Sequence, residues 1–239
     1  YIISNDQQSD YSQSTLVGFW AEILAAVARG DLQTSKMTQE QAFQKLDALV
    51  GTYQTVQQQV GYKGMVAFFS IVATQEPVLD EFGKPTGQTR TVYSYQNCFN
   101  QYGFGDALNL AVSFSSVIGG LQNLSNLTPA LASYRDRIIF KANAILAAQE
   151  PGYAAFYDYS KKRFHGAYAL NTQTHQWAFV KDYYIDRVFN EFRPGMAWLA
   201  AKYPQYQDGF SNLDVTLRRN VPGDGKVQEL AAPNHGGAF

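Results

Sequence analysis

The chain has 239 residues, 46% of them hydrophobic and 16% charged, with a net charge of -1. It can bury a sizeable core and is not disordered by composition, while its near-neutral charge offers no basic field for nucleic acid. No run approaches the ~20 apolar residues of a membrane span, and a single cysteine, Cys98, excludes an internal disulfide.

The first residues, YIISNDQQSDYSQS, are polar and lack the basic-then-apolar order of a signal peptide. With no initiating Met, the chain is expected to be a mature product or a fragment. Residues 15–30 read as a helix, with Ser14 able to cap its start and Gly30 placed just past its end. A second helix opens at Thr38, where Gln41 completes a capping box, and runs to about Gln59. Residues 64–75 and 90–96 are rich in β-branched and aromatic residues around turn signals at 82–87. They predict a long β-hairpin or irregular excursion, either a plain surface loop or a wall of a cleft.

A third helix is expected over 106–123. A fourth opens at Thr128-Pro129, with Pro at the first helical position, and is expected to end at Pro151-Gly152. Two short strand-like pieces follow within 153–180, and a fifth helix is predicted over about 182–203. Helix pairs separated by decorated loops suggest layered or ring-like stacking. No fixed-period repeat, Walker sequence or glycine-rich dinucleotide motif is present.

The aromatic share, 15%, suits either a Phe- and Tyr-rich core or surfaces that stack sugars. His165, His175 and His235 lack metal-ligand spacing, so neither a metal nor another cofactor is expected. No G-x-S-x-G nucleophile signature occurs, and Cys98, beside Phe99, reads as a small buried hydrophobe sooner than a nucleophile. Carboxylates remain, and glycoside cleavage commonly uses two of them.

Asp106 lies at the mouth of the third helix. It either caps that helix, with Asn109 reaching back, or faces a sugar together with Asn109. Asp158 is a turn residue or a ligand contact, and Phe156 and Tyr157 beside it stack a sugar or fill the core. Tyr184, Arg187 and Glu191 share a face if 182–203 is helical. Glu191 then forms an ordinary ion pair with Arg187, or faces a polar cavity within an apolar helix where its pKa rises as a general acid requires. The terminal run His235–Phe239 is a flexible end or a tight loop at a cleft.

Together these segments resemble the glycoamylase-like domain of endo-β-1,2-glucanases and of the transglycosylase part of cyclic β-1,2-glucan synthases. The resemblance is carried by D-A-L-N-L-A from Asp106, by F-Y-D-Y-S-K-K-R-F-H-G-A-Y from Phe156, by Y-Y-I-D-R-V-F-N-E-F-R from Tyr183 to Arg193, and by the terminal G-G-A-F, in that order over about residues 100–239. The chain departs from the family pattern in three ways. Ala-Leu follows Asp106 where the family has Ser-Gly, the Y-Y segment is one residue longer, and the sequence stops where an acidic residue follows the family's last Phe.

The resemblance implies a mainly α protein of (α/α)6 toroid-like helical hairpins with β-hairpin excursions. The whole chain, residues 1–239, would be a single such domain, an incomplete ring or a fragment truncated at both ends. The implied function is a glycoside hydrolase or transglycosylase acting on a β-glucan, with a β-1,2 linkage expected, Glu191 as acid, and Asp106 orienting substrate or acting as the partner carboxylate. The resemblance places Asp106, Asn109, Tyr184 and Glu191 along the sugar cleft, and Phe156, Tyr157, Asp158, Arg193 and His235 are further expected contacts to the oligo- or polysaccharide. A bacterial, periplasmic or secreted location would follow, with membership of a larger chain or assembly possible. The rival expectation is a non-catalytic polysaccharide-binding or structural module.

Overall fold

The computed structural model describes residues 2–4, 7–9, 11–186, 191–213, 219–220 and 227–228, with side chains over 11–186 and 191–213. Three short strands, β1 (Ile2–Ser4), β2 (Gln7–Ser9) and β3 (Tyr11–Gln13), lead into α1 (Ser14–Arg29) and α2 (Gln39–Val60). Next come β4 (Phe68–Leu79), β5 (Pro85–Asn97), β6 (Gln101–Gly103), α3 (Phe104–Gln122) and α4 (Pro129–Phe156). The chain continues through β7 (Tyr157–Asp158), β8 (Arg163–His165), β9 (Ala167–Asn171), β10 (Gln176–Phe179) and β11 (Tyr184–Ile185). It then enters α5 (Arg193–Lys202), α6 (Gln207–Ser211), β12 (Arg219–Asn220) and β13 (Val227–Gln228).

The protein is mainly helical with small antiparallel sheets, in the orders β3-β4-β5, β6-β9-β10 and β7-β8-β11, and the pairs β1-β2 and β12-β13. α1 packs on α2 and α3, α2 on α4, and α3 on α4 and α5. Two hydrophobic cores result. One lies among α1, α2, α3 and α4 up to Leu146, around Phe43, Leu46, Leu110 and Phe114. The other lies beneath the small sheets, around Phe104, Leu108, Tyr153, Phe156, Phe164 and Met196. α3 serves both, its first turns facing the second core and its later turns the first.

Local signals set several boundaries as expected. Thr38 and Gln41 form the reciprocal capping box of α2. Thr128 accepts from the Leu131 N–H, with Pro129 at the first helical position of α4. The β4–β5 hairpin runs twelve and thirteen residues to a tip held by Asp80, whose carboxylate accepts from the Phe82 and Lys84 amides. Much of its length is exposed.

Other boundaries differ, each for a tertiary reason. Ser14 is not a cap but the first residue of α1, fully buried, donating to the Val66 carbonyl at 2.6 Å and bonded to the Tyr53 hydroxyl at 2.7 Å. α4 does not stop at Pro151 but continues to Phe156. The helix tolerates the lost hydrogen bond because Tyr153 and Phe156 beyond it are buried in the second core. The fifth helix begins at Arg193, not near 182, because Tyr184 and Ile185 pair with His165 and Phe164 as strand.

α3 is also long and apolar enough to cross a membrane, contrary to the expectation of no segment of that length. Here its apolar surface is covered by α1, α4 and α5.

Candidate functional site

The start of α3 is where the two cores meet a surface cavity. Gly103, the last residue of β6, pairs with Ala167 of β9. The Phe104 N–H donates to the Gly166 carbonyl at 2.9 Å, and the Gly166 N–H donates to the Tyr183 carbonyl at 2.8 Å. These backbone bonds tie α3, the turn before β9 and the approach to β11 side by side. A side chain at 166 would overlap the Tyr183 ring, so glycine is what allows this close approach. A Cβ at Gly105 would likewise overlap the Phe192 ring, which packs on the first turn of α3 and places Glu191 beside it.

The resulting cavity, about 310 Å³, is lined by Phe68, Gln101, Gly103, Gly105, Asp106, Gly166, Ala167, Tyr183, Glu191 and Phe192. Asp106 and Glu191 therefore open into one space. A wider depression of about 710 Å³ lies over α2 and α4, but its carboxylate, Asp136, is paired with Arg135.

Asp106 is half-buried in the first turn of α3. Burial pushes its carboxyl up to about 6, and the nearby Glu191 charge adds to the rise, while a hydrogen bond from Thr15 opposes it. That bond runs from Thr15 Oγ1 to Asp106 Oδ1 at 2.7 Å, and the Asn109 amide donates to Thr15 Oγ1 at 3.4 Å. Tyr183 is raised too, first by burial and then by Asp106, Glu191 and Asp186.

The expected capping role of Asp106 is corrected, since α3 begins two residues earlier with Gly103 as its N-cap, and Asn109 reaches Thr15 instead. The expectation of a buried Glu191 on an apolar helix is corrected as well. Glu191 is exposed in the turn before α5, so the face expected to join it to Tyr184 does not form. Residues 187–190, Arg187 among them, lie outside the described residues, as does His235.

Phe156 and Tyr157 are at most 7% exposed, packed in the second core, so they are core residues and not a sugar platform. Asp158 folds back on its own turn, Oδ1 accepting from the Ser160 amide and hydroxyl and from the Lys161 amide. With Tyr184 donating as well, these bonds hold its carboxyl well below the usual range, the Ser160 side chain most strongly. Tyr184 stacks on His165 at 4.7 Å, and Phe179 covers the other face of that imidazole at 4.3 Å. Arg193 is exposed as the first residue of α5. Neither Tyr184 nor Arg193 lines the cavity.

Among the described residues, no group of three or more His, Cys, Asp or Glu side chains is placed to hold a metal ion. Nothing local in the sequence marks Thr15 or Gly166 as parts of the site. Tyr183 lies in the Y-Y-I-D-R-V-F-N-E-F-R segment, where its neighbour Tyr184 is the expected contact, but it is the Tyr183 ring that lines the cavity.

No family model and no curated protein matches this sequence. Among solved structures, the chain is similar to the endo-β-1,2-glucanase of Talaromyces funiculosus in complex with sophorose. That match has a TM-score of 0.59 and 11% identity, over 90% of this chain and 43% of the other. A mutant of the same enzyme with β-1,2-glucan matches with a TM-score of 0.54 and 11% identity, over 90% and 44%. The likeness is one of fold. The chain spans less than half the length of these glucanase chains.

Proposed function

We propose that this chain is a glycoside hydrolase or transglycosylase domain acting on a β-glucan, β-1,2-linked, with Asp106 as proton donor and Glu191 as partner carboxylate. The observation that supports it is the opening of both carboxylates into one cavity lined by Tyr183, Phe68 and Phe192. Acid-catalysed glycoside cleavage needs one carboxyl that keeps its proton and one that is ionised. Burial raises Asp106 to about 6, so it retains a proton well above the ordinary carboxylate range. Exposed Glu191 faces it from the turn before α5.

In this reading Asp106 protonates the glycosidic oxygen as its bond to the anomeric carbon breaks. Glu191 either takes a proton from the attacking water or attacks the carbon itself. The roles are the reverse of those implied by the sequence resemblance, because burial falls on Asp106. The shared fold with a glucanase seen with sophorose supports the substrate class. The helix pairs α1–α2 and α3–α4 are read as an arc of an (α/α)6 ring.

A second reading, a non-catalytic polysaccharide-binding module, is favoured by the aromatic rings of Phe68, Tyr183 and Phe192 that line the cavity, since rings of this kind also serve to hold a sugar without cleaving it. A panel of β-glucans scored both for new reducing ends and for binding separates the two. Cleavage of β-1,2-glucan that is lost in Asp106→Asn and Glu191→Gln, with binding retained, supports the enzyme. Binding by the unmodified chain without new reducing ends supports the module. Absence of both binding and cleavage overturns both.

A further inference from the structure

We propose that Thr15 is a positioning residue for Asp106, its hydroxyl committing Oδ1 so that Oδ2 is the oxygen turned to the cavity. The inference rests on the proposed function for its catalytic consequence, but its geometry stands apart from any activity. A threonine hydroxyl has one proton to give, and here it goes to Asp106 Oδ1 at 2.7 Å. The Asn109 amide, which can only donate from its nitrogen, approaches the same hydroxyl oxygen at 3.4 Å. Donation therefore runs one way, from Asn109 to Thr15 to Asp106.

With Oδ1 engaged as an acceptor, a proton on this carboxyl resides on Oδ2. That atom lies beside Gly103, where a Cβ would still stand 3.5 Å away, so no side chain at 103 screens it from the cavity that Gly103 lines. Thr15 is itself held rigidly. Its neighbour Ser14 is fully buried, bonded to the Tyr53 hydroxyl and to the Val66 carbonyl, and the Ser14 amide donates to the Ala67 carbonyl at 2.9 Å. The hydroxyl thus arrives from α1, which packs against α3, already oriented before any ligand binds.

The titratable groups around Asp106 are Glu191 and Tyr183, which line the same cavity, and Tyr53 from α2, whose own ionisation the Asp106 charge opposes. A hydrogen bond to the ionised form favours that form, so the Thr15 hydroxyl lowers the Asp106 pKa against the rise from burial. Its removal has to move the Asp106 titration upward.

The test is a carbon-13 carboxyl NMR titration of Asp106 in the purified chain, with Thr15→Val and Thr15→Ser beside the unmodified protein. The expected result is an upward move of about one pH unit in Thr15→Val and none in Thr15→Ser, which keeps the hydroxyl. If Thr15→Val fails to fold, Thr15→Ala removes the same hydroxyl with less bulk. An Asp106 titration unchanged in a folded hydroxyl-free variant overturns the proposal. On β-1,2-glucan, the acidic-to-neutral limb of kcat should shift with the titration in Thr15→Val and return in Thr15→Ser. If the titration moves while the unmodified chain cleaves no glucan, the positioning role stands and the enzymatic reading falls.

Discussion

The Tyr184 hydroxyl donates to Oδ2 of Asp158 at 3.0 Å, joining across the small β7-β8-β11 sheet two residues expected from the sequence to contact a sugar. Because Oδ1 of the same carboxylate accepts three bonds from Ser160 and Lys161, Asp158 is occupied within the protein. It is a latch on the turn after α4. The latch works only when ionised. Its folded pKa is depressed, so its contribution is present above the unfolded value of about 3.9 and is lost as pH falls through the folded value. Asp158→Asn is expected to lower the thermal midpoint at pH 7 and to narrow that difference in strongly acidic buffer, leaving glucan binding unchanged. Parallel melting curves and binding isotherms check it.

Asp106 has the opposite sign. Its folded pKa is raised to about 6, so its ionisation opposes folding, and the associated stability is present below about pH 4 and lost as pH rises through 6. Asp106→Asn should therefore equal the parent in stability near pH 4 and exceed it by roughly 2 kcal/mol at pH 8, read by urea denaturation at the two pH values. The same substitution should reduce kcat on β-1,2-glucan by about 10²–10⁴-fold, the usual share of a general acid. A variant both more stable and inactive would mark the carboxyl as a group kept for chemistry.

Gly166→Ala places a methyl group into the Tyr183 ring. The expected cost is about 1–3 kcal/mol, as for other overpacked sites. Because the Gly166 amide and carbonyl also hold Tyr183 and Phe104, the shape of the cavity should change with it. Denaturant titration gives the first effect, and loss of glucan binding beyond that of the parent at matched folded fraction gives the second.

Phe156→Ala separates core from sugar platform. Phe156 is fully buried against Phe104, Phe179 and Tyr62, so truncation should cost about 3–5 kcal/mol in denaturant unfolding. A fully stable variant with weakened sugar binding would instead return Phe156 to the ligand.

What the sequence made legible was local. The capping box of α2 and the Thr128-Pro129 start of α4 act within a few positions and lie where expected; of the hairpin's turn signals, Phe82–Gly83 falls at the tip while Pro85–Gly87 lies within β5. What it hid was long-range. Pro151 reads as a stop until Tyr153 and Phe156 find the second core, and Tyr184 reads as helical until His165 pairs with it. The site divides the same way. Asp106 and Glu191 were visible as carboxylates in suggestive surroundings, but which of them is buried depends on how α3 and the turn before α5 meet. Thr15 is 91 residues from Asp106 in sequence and carried no mark of its role.

The sharing of α3 by both hydrophobic cores has a consequence for how the molecule comes apart. Phe104, Ala107 and Leu108 belong to one core and Leu110, Ala111 and Phe114 to the other, on consecutive turns of a single helix. Melting either core strips the helix on which the other is built, so the two are coupled into one cooperative unit rather than two foldons of separate stability. The cavity, formed at the seam by the first turn of that helix, cannot outlast either half.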